Sequence, residues 1–193
     1  SAHEIKKQIG FIIEYGPVRA SDLPEYLKMN KATPEMRRVK FELMDRLILI
    51  PIELTTIFLP MVIITTGLYF VDGILASLAT LATFLSAVIL FPMFLPYIPS
   101  PNFSTKGFFL GTLVALPFVI IRLFNQGDMD FWQRIAWAIV YLFTMTSGTA
   151  FITLNFTGTT TFTSKTGVKR EMKAYIPRMA WMFCCAVIIL ITL

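Results

Sequence analysis

The chain has 193 residues, a mean hydropathy of +0.68, only 15% charged residues and a formal net charge of +5. A soluble domain carries about 25% charged residues, so the composition excludes an ordinary water-soluble globule and points to a membrane protein. The positive charge does not indicate nucleic-acid binding, because most Lys and Arg residues flank apolar runs, where membrane topology accounts for them.

Residues 1–46 hold nine Lys/Arg and seven Asp/Glu, whereas residues 47–193 hold eight and five. This division predicts a cytoplasmic N-terminal segment, 1–46, ahead of a transmembrane domain, 47–193. The first apolar stretch, "IGFIIEYGPV", is short, contains Glu14 and lacks a small-residue cleavage site, so it is not read as a signal peptide. Instead "QIGFIIEYGPVR" predicts one strand, ended by Gly16-Pro17. Ser21 is expected to cap a short helix running to about Leu27, with Asp22 and Glu25 in its first turn. "KATPEMRR" repeats the device, with Thr33 as N-cap and Pro34 at the first helical position. One strand and two short helices cannot bury a core, since domains below about 40 residues usually need disulfides or metals. The segment is therefore expected to pack on something else: an upstream soluble domain, a partner, or the cytoplasmic face of the bundle. The chain reads as the C-terminal part of a larger design.

Five apolar runs follow, at about 48–70, 74–95, 107–124, 132–154 and 174–193. Each approaches the roughly 20 residues needed to cross a bilayer core as a helix. They are too long and too uniformly apolar for barrel strands. The predicted fold is an all-α, five-helix transmembrane bundle. Prolines 51, 60, 92 and 117 are expected to kink these helices or mark their ends. With the N-terminus inside, the N-terminal segment, the 96–106 and 155–173 loops and Arg178 place fifteen basic residues on the cytoplasmic side. Only Arg122 and Arg134 fall on the other. The positive-inside rule then gives N-terminus in and C-terminus out, in the cytoplasmic (inner) membrane. The Asn155-Phe156-Thr157 sequon would face the cytoplasm and go unused.

The sequence contains no Walker loop, GxGxxG, HExxH or CxxC, and its one histidine is His3. No self-contained hydrolytic set can be assembled, and no catalytic residue is assigned. Three features remain. Cys184 and Cys185 lie in the fifth run, where adjacent helical positions point about 100° apart. They read either as a thiol pair meeting a soft metal such as Hg(II) or Cu(I), or as two small apolar residues in a packed helix. Glu53 in the first run is either an intramembrane functional carboxylate or an acid near a helix N-terminus. The polar stretch "NFTGTTTFTSKTGVKREM", residues 155–172, reads either as a solvated, topology-setting loop or as a docking surface built on Thr159, Thr160, Thr161, Lys165, Lys169 and Arg170. The ten methionines are scattered through the runs and read as packing material.

The stretch "YGPVRASDLPEYL…KATPEMRRVKFELMDRLILIPIEL", residues 15–54, closely resembles the segment that follows the corrinoid-binding domain in the corrinoid iron–sulfur protein family. With five following spans and the "NFTGTTTFTSKTGVKREM" loop, the chain looks like the membrane-anchored, mercury-methylating branch of that family. The resemblance implies a cobalamin in an upstream soluble domain. It also implies methyl transfer from cobalt to Hg(II), giving methylmercury, and a ferredoxin-like partner with two [4Fe–4S] clusters that reduces the corrinoid. The family's cobalt-facing cysteine lies in an N-[VI]-W-C-A-[AG]-G-K motif. "WC" occurs nowhere in this chain, so that role is carried over to no residue here. The implied role is a membrane domain that anchors and positions the cobalamin domain of a methyltransferase. Two other readings stay open: a membrane anchor of a related corrinoid methyl carrier in one-carbon metabolism, and a five-span transporter-like module. Against the transporter stand the scarcity of paired charges in the spans and the lack of an interrupted helix pair.

Overall fold

The computed structural model describes residues 2–10, 16–38, 43–124, 129–156 and 165–193. The chain divides into two compact units, Ser1–Phe41 and Glu42–Leu193. Among the described residues all regular structure is helical.

The first unit contains α1 (Ala2–Ile9) and α2 (Leu23–Met29). Most of the expected strand, residues 11–15, lies outside the described residues, and Gly16–Val18 is not strand. Ser21 does not cap α2. It sits in a 3-10 turn, Ala20–Asp22, where its Oγ donates to Asp22 Oδ1 at 3.1 Å, and Asp22 takes the N-cap position. The shift follows from Pro24, whose fixed φ and missing N–H suit the first turn of a helix. Asn30 closes α2 in the left-handed region, φ 48°, which Asn tolerates better than most residues. Thr33 Oγ1 does accept the Met36 N–H, at 3.3 Å, but Pro34–Arg37 forms a turn instead of the second short helix expected. One capped turn fixes several dihedrals for little hydrogen bonding and does not propagate by itself. The Val18 N–H donates to Met36 O at 2.8 Å, and Met36 is buried.

The second unit runs α3 (Leu43–Leu47), α4 (Ile50–Leu85), a π-helical turn (Ser86–Leu90), α5 (Phe91–Phe94), α6 (Phe103–Phe124), α7 (Phe131–Asn155) and α8 (Lys165–Thr192). Among the described residues four stretches are long and apolar enough to cross a membrane: Leu43–Phe94, Phe103–Phe124, Phe131–Asn155 and Thr166–Thr192. This is the make-up of a multi-pass membrane protein. The count is four, against five expected, and the difference lies inside α4. There Asp72 (φ −144°, ψ 26°) and Gly73 (φ 67°, ψ −151°) leave helical geometry. Gly73 adopts a backbone conformation that side-chain-bearing residues rarely reach. Ser77 Oγ then donates to Thr65 O at 3.3 Å, although twelve residues of continuous helix would span about 18 Å. The chain therefore doubles back at Asp72-Gly73, and the two arms of α4 lie side by side.

The prolines act as their positions dictate. Pro51 stands in the first turn of α4, while Pro60 and Pro117 lie within helices. Pro92 has no N–H and crowds the carbonyl four residues back. The chain responds with a π turn, in which the Phe91 N–H reaches back five residues to Ser86 O.

α7 is the central helix, with half of its apolar window buried. It meets α6 along a small-residue seam. A methyl group at Gly107 would come within 2.7 Å of Ala150 Cα, and one at Gly111 within 2.9 Å of Thr146 Cα. Gly107-x-x-x-Gly111 thus lets the two backbones approach closely, as small residues do between membrane helices. Ala115, Tyr141, Met145 and Ala79 continue the core toward the arm of α4 that follows Gly73. Large apolar side chains on the outer faces, such as Phe58, Ile63, Phe109, Trp181 and Ile191, are exposed. Outward apolar faces on long helices match a lipid surround.

Candidate functional site

The turn in α4 places a carboxylate against the C-terminal part of α6. Asp72 Oδ2 accepts hydrogen bonds from Arg122 Nη2 and, at 2.5 Å, from Tyr141 Oη of α7. Arg122 Nη2 also lies 3.3 Å from Tyr141 Oη. The guanidinium stacks on two rings, 4.9 Å from the Trp137 centroid and 5.2 Å from that of Tyr141. Phe118 stacks nearly parallel on the other neighbour, Tyr141, at 6.4 Å. Arg122 is 8% exposed and Asp72 13%, so this is a desolvated ion pair. Arg122 Nε is buried without a hydrogen-bond partner. The aromatic cage offsets part of that cost by cation–π attraction. The pair joins three elements: the break in α4, the end of α6 and the middle of α7.

A second polar cluster forms at the other end of α6. Glu171, buried on α8, accepts the Ser104 N–H at 2.6 Å. It satisfies one of the four amides that a helix N-terminus leaves free, where a negative charge is also favoured. One turn further along α8, the Tyr175 hydroxyl meets Asn102 Nδ2 at 3.0 Å and Thr105 Oγ1 at 2.8 Å. Lys106 Nζ donates to Leu95 O at 2.5 Å, and Arg46 donates to Pro92 O at 3.5 Å. These bonds tie α8 to the 102–105 stretch, Lys106 back to the end of the 91–95 stretch, and α3 to α5.

The residues expected from the sequence are not gathered into one site. Cys184 is exposed on α8, and Cys185 is half-buried beside it. Among the described residues no group of three or more His, Cys, Asp or Glu side chains clusters. Glu53 stands, half-buried, in the first turn of α4. Thr159, Thr160 and Thr161 lie outside the described residues, as does the Lys165 side chain. Lys169 and Arg170 are exposed, but on a helix: α8 begins at Lys165, so the polar stretch is not loop throughout 155–173. Asp72, between the first two expected spans, and Arg122, in the third, form one ion pair not expected from the sequence. The sequence does hint at both. An Asp-Gly step between two apolar runs is a turn signal, and an arginine inside a span needs a partner.

Comparison with protein-family models, with characterised proteins and with solved structures returned no match.

Proposed function

We propose that this chain is the membrane domain of a corrinoid-dependent methyltransferase that converts Hg(II) to methylmercury. Its part is to anchor and position a cobalamin domain lying upstream. The observation that carries the reading is the 15–54 stretch, which resembles the post-corrinoid segment of the corrinoid iron–sulfur protein family and leads directly into long apolar helices. The residues present do not fit a corrinoid: no Trp-Cys step exists, and the two cysteines lie on α8, one of them exposed. No step of methyl transfer is therefore assigned to this chain. The ferredoxin-like partner and Hg(II) belong to the same proposal.

The break at Asp72-Gly73 supports reading Leu43–Phe94 as two crossings and the domain as five. The arms 50–71 and 74–94 would each be about 32 Å long at 1.5 Å per residue, enough for a core of about 30 Å. Fifteen basic residues against two support the N-terminus in the cytoplasm and the C-terminus outside. The test is anaerobic Hg(II) methylation by the intact protein with its ferredoxin, compared with protein truncated before residue 47. Loss of methylation in membranes on truncation supports the reading. Full activity without residues 47–193 argues against a positioning role.

A transporter-like module is the second reading. The buried Asp72–Arg122 pair favours it, because paired charges within membrane domains mark substrate and ion pathways. Solute flux across vesicles holding only this chain would support it over the anchor.

A further inference from the structure

The outward face of α8 changes character along its length. Thr166, Lys169, Arg170, Lys173 and Ala174 recur at spacings of three and four residues and line one open groove of about 530 Å³. The same face continues as Pro177, Trp181, Cys184, Ile188 and Ile191, all exposed. The acid in this region, Glu171, lies about 100° around the helix and is held inward on the Ser104 N–H. Among the described residues no ion-pair partner faces Lys169, Arg170 or Lys173. The first turn of α8 carries no acid either, so no carboxylate on the adjoining turn offsets these three cations.

Depth explains the arrangement. The apolar stretch Thr166–Thr192 has 27 residues, about 40 Å of helix, against a hydrocarbon core of about 30 Å. About seven residues are left over, and the basic stripe occupies that length at the polar end. The three cations therefore sit at headgroup level, directly above the part of the face that meets acyl chains. An amphipathic aromatic, Trp181, lies two turns further in, with 73% of its surface exposed. We infer that this groove is a binding site for the phosphate headgroup of an anionic phospholipid. The charge complements a phosphate diester, and the continuity with an exposed apolar face argues for a lipid over a soluble acidic protein. Lys169 and Arg170 are then lipid contacts and not part of the docking surface. The inference rests on α8 crossing the membrane, not on any role in methyl transfer.

The experiment titrates the full chain, in uncharged detergent, with short-chain phosphatidylglycerol, short-chain phosphatidylcholine or inorganic phosphate. Phosphatidylglycerol is expected to bind, and the other two at least about ten-fold more weakly. K169Q/R170Q/K173Q should weaken phosphatidylglycerol binding roughly 100-fold, at about five-fold per basic residue near a charged lipid surface. K169R/K173R should retain it. An unchanged thermal midpoint for the triple variant verifies that it folds. Equal binding of phosphatidylcholine overturns the charge requirement, and equal binding of inorganic phosphate overturns the lipid. Phosphatidylglycerol binding that survives the triple substitution overturns the site. So does a triple variant that keeps the lipid and instead loses capture of the soluble corrinoid domain. Because no readout involves Hg(II), failure here is separable from failure of the methyltransferase reading.

Discussion

Removing the charge of Asp72 should be the most damaging single-atom-scale change in the membrane unit. Asp72→Asn keeps the size and an acceptor oxygen, but leaves the Arg122 guanidinium buried at 8% exposure with no counter-charge. Breaking a buried pair from one side costs about 3–5 kcal/mol in soluble proteins. Hydrogen bonds in membrane proteins average only about 0.6 kcal/mol by double-mutant cycles. Here the lost interaction is ionic, desolvated and shared by Tyr141 Oη at 2.5 Å, so the upper scale governs. The Trp137 and Tyr141 rings persist and retain about 1 kcal/mol of cation–π attraction. The expected net loss is about 3 kcal/mol, a more than 100-fold shift in the folding equilibrium. The assay is reversible unfolding in mixed micelles, followed by circular dichroism. Asp72→Asn/Arg122→Gln should recover at least about 2 kcal/mol relative to the sum of the single changes, since neither charge is then stranded. A loss below about 0.5 kcal/mol for Asp72→Asn, or strict additivity in the cycle, would refute the argument that this pair is a desolvated clamp.

Gly107→Ala and Gly111→Ala should each cost about 1–3 kcal/mol in the same unfolding assay, because the added methyl meets not only the Thr153 or Thr149 side chain but also backbone of α7 within 3 Å, which rotamer changes cannot relieve. Gly73→Ala should cost about 1–3 kcal/mol through backbone strain even though open space surrounds the position, because φ 67° with ψ −151° is a region essentially confined to glycine; Gly73→Asn should lose as much, since Asn tolerates the left-handed helical region and not this one. Tyr141→Phe removes one hydrogen bond to a charged acceptor and should cost about 1.5–3 kcal/mol, with far-ultraviolet circular dichroism unchanged in the absence of denaturant. Cys184→Ala/Cys185→Ala should leave thermal stability unchanged, because one side chain is exposed and the other only half-buried; under the proposed function it should also leave Hg(II) methylation by the intact protein unchanged, and a drop at constant stability would favour a thiol relay for Hg(II).

Apolar length was the legible feature, and it located every long helix to within a few residues at its hydrophobic end. The polar ends were not legible in the same way. Phe103–Lys106 and Lys165–Lys173 are helical but carry the hydroxyl and charged residues that a hydropathy run excludes. Their helicity comes from neighbours, Glu171 on Ser104 and Tyr175 on Asn102, that are more than sixty residues apart in the chain. The pairing of Asp72 with Arg122 was not legible for the same reason: Asp72 lies between the first two apolar runs and Arg122 inside the third, fifty residues apart. The cysteines drew attention by residue type, whereas what matters on a helix is the face each residue occupies. Of the proposed docking residues, the three threonines lie outside the described segments. Gly107-x-x-x-Gly111 stood in the sequence in plain form, and its spacing alone points to the side of α6 that α7 would meet.

The second unit is poor in acids, and the described ones are placed at helix ends. Glu53 occupies the first turn of α4, and Asp130 caps α7, where its N–H donates to Gln133 Oε1 at 3.0 Å. Glu171 caps α6 from α8, and Asp72 holds Arg122 in the last turn of α6 from the break in α4. α6 is thus clamped at both ends by carboxylates from two other elements and zipped to α7 between them. Its 22 residues separate the clamps by about 25–30 Å, well beyond the 7–10 Å within which side-chain changes couple directly. Glu171→Gln should therefore cost about 1–2 kcal/mol by itself and add to Asp72→Asn within about 0.5 kcal/mol. Additivity would mean that the two clamps are independent fasteners on a rigid helix. A coupling above about 1 kcal/mol would instead mean that α6 shifts as one body when either end is released, and that the seam at Gly107 and Gly111 slides rather than holds.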